Sequence, residues 1–233
     1  MQLKVKKTTV IGMGRTGVPT ANFLVARGAT VILTDQKQQS DLANRITGLD
    51  PRVQTVFGDS LPSTDTDLIV LSPGFDINSP ILETARLKEI EIISEIELAS
   101  RFNTAPIIAV TGTNGKTTTT TLVGKILEQA GKKTKVGGNI GIPFISLIND
   151  APSDFIVLEV STFQLEGIKQ FRPHISVLLN ITPDHLNRHK TMAHYASLKG
   201  RIALNQGEND HMVLNQDDPM VLNEGRDKRA RKH

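Results

Sequence analysis

Short apolar runs rich in β-branched residues alternate along this chain with longer stretches of helical periodicity. In the first half, the apolar runs lie at 8–11, 31–34, 53–57, 68–71 and 90–93. The first run is followed by a helical stretch that ends at Arg27, where Gly28 is a natural residue to stop a helix. Strands that alternate with helices in this order predict parallel α/β sheets with helices on both faces.

A second unit with the same alternation begins after a polar turn at 101–106. Its apolar runs lie at 107–110, 155–160, 175–180 and 211–214, and its longer helices are expected to end near Ala130 and to span 192–204. The first of these helices has apolar residues on one face, which we expect to pack on the sheet: Leu122, Val123, Ile126, Leu127 and Ala130. Continuous apolar strands are typical of parallel sheets that are covered on both faces.

The composition limits the classes of protein to which the chain can belong. Hydrophobic residues make up 38% and charged residues 22% of the 233 residues, which is typical of a globular protein. Without cysteine, the chain has no disulfides, no thiolate zinc site and no cysteine nucleophile. No window holds 18 consecutive apolar residues, and the amino terminus leads into a strand without a signal-peptide pattern. We therefore expect a cytoplasmic protein with no membrane partner.

The positive charge of the chain is confined to its last ten residues. The net charge is +3, and residues 224–233 hold five basic and two acidic side chains, so the rest of the chain is neutral overall. A nucleic-acid-binding protein is expected to carry a basic face across its fold. We therefore predict that no nucleic acid binds and that residues 224–233 form a solvated basic tail.

A glycine-rich turn follows the first predicted strand and precedes the first helix. Its sequence is Gly-Met-Gly-Arg-Thr-Gly, at residues 12–17, and Asp35 stands at the end of the next strand. This arrangement fits the dinucleotide fingerprint, in which the turn approaches a diphosphate and an acid follows the second strand. A second turn, Ser72-Pro73-Gly74, is expected to line the same crevice. A nicotinamide-dependent oxidoreductase is one function that these features allow.

The most specific motif lies between the strand at 107–110 and the helix that follows it. Residues 111–117, Thr-Gly-Thr-Asn-Gly-Lys-Thr, resemble a phosphate-binding loop, although Val110 replaces the first glycine of the general pattern. The backbone N–H groups of such a loop surround phosphate oxygens at a helix N-terminus. Lys116 is expected to reach the β- and γ-phosphates of ATP, and the Thr117 hydroxyl is expected to bind Mg²⁺.

Polar residues also follow two other strands of the second unit. Glu159 ends an apolar strand, where a buried carboxylate needs a partner and a cation is the natural one. Asp184, His185 and His189 follow the strand at 175–180 and are candidate metal ligands that the residues alone do not rank. Because the carboxyl ends of parallel strands meet at one edge of a sheet, we expect these groups to face a common crevice.

These motifs refine the predicted architecture. We predict an α/β protein with a Rossmann-like N-terminal parallel sheet, followed by a truncated P-loop-type ATPase α/β domain. The first domain is expected at 1–102, the second at 103–223 and the basic tail at 224–233. The family resemblance described next implies that the first is a UDP-substrate-binding domain and the second a partial ATP-binding domain. The second domain has room for a small sheet only.

Four segments of the second unit are similar, in the same order, to the Mur ligases of peptidoglycan synthesis. They read TGTNGKTTT from residue 111, LEVSTFQL from residue 158, NITPDHLNRH from residue 180 and YASLK from residue 195. Three features favour the member of the family that adds D-glutamate: the segment GMGRTG, the segment SPGF followed by SEIEL, and the phenylalanine in STFQL. The resemblance extends to Leu222 and leaves out the basic tail. It implies a family with three domains, of which this chain ends within the second.

The resemblance implies an ATP-dependent ligase that joins D-glutamate to UDP-N-acetylmuramoyl-L-alanine through an acyl-phosphate intermediate, with ATP and Mg²⁺ as cofactors. It assigns ATP binding to Gly112, Thr113, Asn114, Gly115, Lys116, Thr117 and Thr118, and catalysis to Lys116, Asn139, His185 and Lys199. It assigns Mg²⁺ binding to Thr117, Glu159, His185 and Lys199. It assigns substrate binding to Gly14, Arg15, Thr16, Asp35, Ser72, Pro73, Gly74, Asn139 and Ser161.

Lys199 needs a special explanation as a metal ligand. By its residue type and helical position alone, it is expected to lie in solvent. The resemblance implies that it carries a carbamate, which turns the cation into a carboxylate-like ligand. We further expect a monomer that, being truncated, makes no amide by itself. The alternatives are a non-catalytic fragment that binds a UDP-sugar or nucleotide, and the oxidoreductase.

Overall fold

The structure is a computed structural model that describes residues 6–58, 65–149 and 151–233. The chain forms two compact units, one of residues 1–102 with 167–169 and one of residues 103–166 with 170–233. Each unit contains a parallel sheet with helices between the strands, which confirms the predicted α/β class. No helix within the described ranges is both long and apolar enough to cross a membrane.

The first unit is built on a sheet of five parallel strands in the described residues. Its strands are β1 (Lys7–Ile11), β2 (Thr30–Asp35), β3 (Gln54–Phe57), β4 (Leu68–Leu71) and β5 (Glu91–Ser94). Its helices are α1 (Gly17–Ala26), α2 (Gln39–Leu42), α3 (Glu83–Leu87) and α4 (Glu95–Ser100), with a 3₁₀ turn at Pro80–Leu82. The strand order is β3-β2-β1-β4-β5.

This strand order places a crevice between the ends of β1 and β4. The chain runs from β1 outward to β3 on one side and then continues with β4 and β5 on the other side. Gly12 and Ser72 follow the two central strands, and the Ser72 hydroxyl donates a hydrogen bond to the Gly12 carbonyl at 2.8 Å. Ligands of open parallel sheets bind where the strand order reverses in this way.

The second unit is built on a sheet of six parallel strands in the described residues. Its strands are β6 (Ile107–Thr111), β7 (Thr134–Gly138), β8 (Phe155–Glu159), β9 (Ile175–Leu178), β10 (His211–Leu214) and β11 (Arg231–Lys232). Its helices are α5 (Lys116–Gln129), α6 (Phe144–Leu147), α7 (Thr162–Glu166), α8 (Leu186–His189), α9 (Met192–Gly200) and α10 (Pro219–Gly225), with a 3₁₀ turn at Arg201–Ala203.

The order of these strands, β11-β10-β9-β6-β8-β7, puts the phosphate-loop strand in the middle of the sheet. Val110 of β6 pairs with Glu159 of β8 on one side and with Val177 of β9 on the other. The segments that follow β6, β8 and β9 therefore emerge next to one another. This is the common crevice that the sequence predicts for the second unit.

Helix α5 packs on the sheet by a face that overlaps the predicted one only at Val123 and Leu127, which are half-buried. Leu122 and Ile126 are 56% and 54% exposed, whereas Thr120 and Gly124 are buried. A side chain added at Gly124 would collide with Val136 of β7, so the helix approaches the sheet closely at this glycine. Helical periodicity correctly predicts the helix, but the buried face is decided by this close approach, which the apolar pattern does not show.

The structure also corrects the prediction of a solvated tail at residues 224–233. Helix α10 runs to Gly225, β11 pairs with β10, and Ala230 is 5% exposed. The pairing uses backbone groups, such as the Arg231 N–H that donates to the Asp210 carbonyl at 2.9 Å. Basic side chains of an edge strand can stay in solvent while the backbone joins the sheet, so a local run of charge does not exclude pairing.

Candidate functional site

The phosphate loop after β6 is held by hydrogen bonds to the segment that follows β9. Gly115 has a φ of +81° and immediately precedes Lys116, the first residue of α5. The Thr113 N–H donates to the Asn180 carbonyl at 2.9 Å, and the Asn114 N–H donates to the Asn180 side-chain oxygen at 2.8 Å. The loop is therefore preformed, with a glycine where the turn into the helix needs a left-handed conformation.

Lys116 places its ammonium group against this loop. Its Nζ donates to the carbonyls of Gly112 and Thr113 at 2.9 and 2.8 Å. A phosphate oxygen can replace these carbonyls as partners, because a hydrogen bond between two charged groups is stronger than one to a neutral carbonyl. The start of α5 thus combines a cation with the N–H groups of a helix N-terminus, an arrangement that binds anions. Thr118, also predicted to bind ATP, is exposed in the first turn of this helix.

Glu159, at the end of β8, is held from both sides and is only 2% exposed. The Thr117 hydroxyl donates to one carboxylate oxygen at 2.6 Å, and the Asn139 amide donates to the other at 2.7 Å. Asn139 comes this close because Gly138, with a φ of +98°, lies against the Glu159 backbone, where a side chain would collide. The structure therefore brings three predicted site residues together. Both of these hydrogen-bond partners of Glu159 are neutral, whereas the sequence predicts a cation as its partner.

The oxygen atoms of Thr117 and Glu159 suit a hard divalent cation. Mg²⁺ is usually held by one or two protein oxygens and by phosphate oxygens. A cation here would also compensate the charge of the buried carboxylate. In the described part of the chain, no cluster of three or more His, Cys, Asp or Glu side chains could hold a metal ion. The site thus fits a cation that takes several of its ligands from a phosphate.

Lys199 of α9 is buried, although a lysine of this helix considered alone is expected in solvent. It is 2% exposed, and its Nζ lies 4.5 Å from the centre of the Tyr195 ring. Burial lowers the pKa of Lys199 to about 7; the charge of Lys116 acts in the same direction, and Asp184 opposes it. A large part of this amine is therefore neutral at neutral pH, and the neutral amine is the nucleophilic form.

The two candidate histidines have different surroundings. The His185 side chain is half exposed, and its Nε2 lies 3.5 Å from the Asp184 carboxylate. His189 is 2% exposed, its Nε2 lies 3.0 Å from the Thr162 hydroxyl, and burial lowers its pKa. The geometry therefore favours His185 as the accessible ligand and His189 as a packing residue.

Aromatic rings connect both histidines to Lys199. The Phe163 ring centre lies 5.4 Å from that of His185 and 5.3 Å from that of His189, and the His189 ring lies 5.2 Å from that of Tyr195. We call these four rings the aromatic row; it ends at the Lys199 amine. Reasoning from the sequence missed Phe163 and Tyr195 as site residues. Their one signal was their position inside the segments STFQL and YASLK.

Ser161, the remaining predicted residue of this unit, is held at the start of α7. Its N–H and its hydroxyl donate to the Gln164 side-chain oxygen at 3.0 and 3.2 Å. Gln164 is itself buried. Ser161 follows Glu159 by two residues, and its local turn fixes the backbone where the chain leaves β8.

A cavity of about 380 Å³ lies at the crevice of the first unit. The predicted substrate-binding residues that line it are Gly14, Asp35, Ser72, Pro73 and Gly74. Arg15 and Thr16 are described but do not line it, and Thr16 is buried at the start of α1. Lys37 and Arg45, which sequence reasoning missed, also line the cavity, and both follow Asp35 within ten residues. Their charges suit a diphosphate.

The Asp35 carboxylate shapes this cavity through the backbone. One of its oxygens accepts a hydrogen bond from the Met13 N–H at 2.7 Å, and the other accepts one from the Lys37 N–H at 3.0 Å. Asp35 thus ties the turn after β1 to the turn after β2. The dinucleotide fingerprint does not predict this structural role.

Comparison with known proteins agrees with these features. The second unit, with its strand, phosphate loop, helix and acid on the adjacent strand, has the features of a nucleotide-binding P-loop protein. The profile of the Mur ligase middle domain matches residues 110–233, and that of the Mur ligase MurD-like N-terminal domain matches residues 6–94. The chain belongs to the Mur ligase family. The first match includes residues 224–233, which corrects the prediction that these residues fall outside the resemblance.

Curated relatives carry the name UDP-N-acetylmuramoylalanine–D-glutamate ligase. One from Alkaliphilus metalliredigens is 47% identical over 224 residues, which are 94% of this chain and 49% of the relative. Another from Geotalea uraniireducens is 49% identical over 225 residues, which are 95% of this chain and 50% of the relative. The chain therefore spans about half the length of these relatives.

Solved structures of Mur ligases share the fold. UDP-N-acetylmuramate:L-alanyl-γ-D-glutamyl-meso-diaminopimelate ligase from Neisseria meningitides superposes with a TM-score of 0.66 at 17% identity, covering 98% of this chain and 77% of its own. The UDP-N-acetylmuramate-alanine ligase of Thermotoga maritima gives a TM-score of 0.53 at 22% identity, covering 94% of this chain and 51% of its own.

Proposed function

We propose that this chain supplies the UDP-substrate-binding and ATP-binding units of an ATP-dependent ligase that joins D-glutamate to UDP-N-acetylmuramoyl-L-alanine. Relatives with this name are 47% identical to the chain over 94% of its length. The chain spans about half of their length. Binding of the UDP-substrate and of ATP is therefore proposed for the two units of this chain, and formation of the amide is proposed for a ligase of which they are parts.

The observation that best supports this function is the contact of Thr117 with Glu159, directly beside Lys116. Lys116 and Thr117 are consecutive residues at the start of α5, and the Thr117 hydroxyl lies 2.6 Å from the Glu159 carboxylate. A lysine for phosphate oxygens and a pair of oxygen ligands for the accompanying Mg²⁺ are what phosphoryl transfer requires. Hydride transfer to a nicotinamide would use none of these three groups.

The proposed reaction brings two anions together. The L-alanine carboxylate of the substrate is ionised at neutral pH, so its attack on the γ-phosphorus of ATP needs no general base. Lys116 binds phosphate oxygens and lowers the repulsion between the anions. Thr117 and Glu159 would hold Mg²⁺, which screens the phosphate charge when bound. The bond between the γ-phosphorus and the oxygen that links it to the β-phosphate breaks, so that the acyl phosphate and ADP form together. The amine of D-glutamate then attacks the acyl carbon, which forms the amide and releases phosphate and one proton.

His185 and Lys199 are proposed to hold a second Mg²⁺. Lys199 would first have to become a carbamate: its neutral amine attacks CO₂, a nitrogen–carbon bond forms, and one proton is released. The burial of Lys199, which lowers its pKa to about 7, favours the neutral amine. The half-exposed His185 ring is accessible for coordination.

The cavity of the first unit is proposed to bind the UDP part of the substrate. Lys37 and Arg45 supply positive charge at its wall, which suits the diphosphate. Gly14 has no side chain, so the backbone can approach the ligand closely. Ser72 adds a hydroxyl at the opposite turn of the crevice.

Binding measurements on the intact chain test this function. We expect calorimetry to show binding of UDP-N-acetylmuramoyl-L-alanine and of ATP, with ATP bound more tightly in MgCl₂ than in EDTA. We expect NADH not to displace the UDP compound. Displacement by NADH at comparable concentration would contradict the ligase and support the oxidoreductase.

A second candidate function is nucleotide and UDP-sugar binding without catalysis. The contacts of Lys116 with the loop carbonyls and of Thr117 with Glu159 suit the binding of a nucleotide whether or not a reaction follows. An assay with radiolabelled D-glutamate separates the two functions. Label in the UDP-sugar product would show that these two units form the amide by themselves, whereas binding of both nucleotides without label would show that the chain by itself only binds them.

A further inference from the structure

Tyr195 is the one tyrosine of the sequence, which also lacks tryptophan. It lies on α9 and is 2% exposed. Its hydroxyl is 3.3 Å from the Thr113 hydroxyl of the phosphate loop, and its ring centre is 4.5 Å from the Lys199 Nζ. A single buried side chain therefore contacts both the loop and the buried lysine.

The hydrogen bonds around Thr113 identify Tyr195 as a donor. The Thr113 hydroxyl donates to the Thr182 carbonyl at 3.1 Å and accepts from the Thr182 N–H at 3.0 Å. Because a hydroxyl has one hydrogen to donate, the contact between the two hydroxyls uses the hydrogen of Tyr195. Tyr195 is thus a fixed connection between α9 and the phosphate loop.

This connection does not compete with a bound phosphate. Lys116 now donates to the carbonyls of Gly112 and Thr113, and its ammonium group would leave those partners to bind phosphate oxygens. The Tyr195 hydroxyl contacts the side chain of Thr113 and not these carbonyls. It can therefore stay in contact with Thr113 while the lysine changes partners.

The aromatic row restricts the movement of the Tyr195 ring. The His189 ring packs 5.2 Å from it, and the Lys199 amine lies over it. In a closely packed interior, a shift of one group is passed to its neighbours. A displacement of Thr113 on nucleotide binding would therefore move the Tyr195 ring and the amine that rests on it.

We propose that Tyr195 is a positioning residue that connects the phosphate loop, through Thr113, to Lys199, so that binding of nucleotide at the loop changes the environment of the lysine. This role rests on the proposed nucleotide site and adds to it a residue outside the loop. If Tyr195 has this role, loss of its hydroxyl weakens nucleotide binding and leaves the second unit folded.

The variant Tyr195→Phe keeps the ring and removes the connection. We expect its Kd for ADP in MgCl₂, measured by calorimetry, to rise about threefold to tenfold, as for the loss of one hydrogen bond. Ser176→Ala is the matched control, because it removes another buried hydroxyl of the same unit, which donates to the Gln206 side chain at 2.8 Å. We expect this control to lower the melting temperature but to leave the Kd unchanged. A wild-type Kd for Tyr195→Phe, or an equal increase for Ser176→Ala, would overturn the proposal.

Tyrosine labelled with ¹³C at Cζ gives a second test in the wild-type protein, which does not depend on the folding of a variant. A single tyrosine gives a single resonance, and we expect this resonance to shift when ADP and MgCl₂ saturate the protein. Binding of ADP without a shift would overturn the role of Tyr195 and leave the nucleotide site intact. Absence of ADP binding by the wild-type protein would instead contradict the proposed function itself.

Discussion

The two glycine-rich turns of this chain have the same local plan and different chemistry. One follows β1 and leads into α1, and the other follows β6 and leads into α5. In the first turn, the Met13 N–H donates to an acid, Asp35. In the second, a cation donates to the loop, since Lys116 binds the carbonyls of Gly112 and Thr113.

The strand ends next to each turn explain this difference. Beside the first turn, β4 is followed by Ser72, a neutral donor to the Gly12 carbonyl. Beside the second, β8 ends in the buried carboxylate of Glu159, which accepts from Thr117. The first arrangement suits a diphosphate that is bound and not altered, whereas a lysine with a neighbouring acid suits phosphate transfer with Mg²⁺. The same supersecondary unit can thus support binding in one place and chemistry in another.

The largest expected effect comes from removal of the lysine that lies against the second turn. Lys116→Met should weaken ATP binding about tenfold to a hundredfold, because hydrogen bonds from a charged donor contribute about 1.5–3 kcal/mol. Binding of UDP should not change, since the cavity proposed for it lies in the first unit. Calorimetry with each ligand measures both effects. The control Lys125→Met removes an exposed lysine of the same helix, and an equal loss in that variant would contradict a specific role for Lys116.

A second variant tests the acid beside the phosphate loop. Glu159→Gln keeps the shape of the side chain and an oxygen for the Thr117 hydroxyl but removes the negative charge. ATP binds more tightly in MgCl₂ than in EDTA if the site holds Mg²⁺, and the ratio of the two affinities is the magnesium advantage. We expect this advantage to fall about tenfold, as for the loss of one charged metal ligand. Titrations in both buffers measure it. Glu128→Gln, at an exposed position of α5, should keep it; a wild-type magnesium dependence in Glu159→Gln would show that the carboxylate does not hold the cation.

Because of Lys199, we expect the stability of the second unit to depend on pH. Its pKa in the folded state, about 7, lies below its ordinary value of 10.5, so between these values the unfolded chain binds more protons and stability rises with pH. The slope from this group approaches about 1.4 kcal/mol per pH unit. Urea unfolding of wild type and Lys199→Met from neutral to moderately alkaline pH, in buffers free of CO₂, should show the slope in wild type alone. Equal slopes in the two proteins would mean that the amine is not buried in its neutral form.

The smallest expected effect concerns the turn of the first unit. Asp35→Asn leaves one side-chain oxygen where the carboxylate now accepts from the Met13 and Lys37 N–H groups. We expect affinity for the UDP compound to fall about threefold to tenfold, as for one weakened hydrogen bond, and ATP affinity to stay unchanged. Asp41→Asn, at an exposed position after β2, is the control. Loss of ATP affinity in Asp35→Asn would contradict the separate roles of the two turns.

Most strands and both turns could be predicted from local sequence. The apolar runs at 68–71 and 211–214 are strands with those bounds, and the phosphate loop stands between a strand and a helix. Strand β7 was missed, because Lys135 and two glycines leave it without a continuous apolar run. Its pairing with β8 makes it a strand and places the following Asn139 against Glu159.

The sequence by itself determined most of the strands, helices and turns, and which chemical groups stand at the strand ends, because these depend mainly on neighbouring residues. Only the tertiary structure decided that Lys199 is buried, that residues 231–232 join a sheet, and that Tyr195 meets Thr113. Tyr195 and Thr113 are 82 positions apart in the sequence. Burial and pairing depend on groups so distant along the chain, and burial in turn sets the pKa of Lys199, so no local pattern could reveal them.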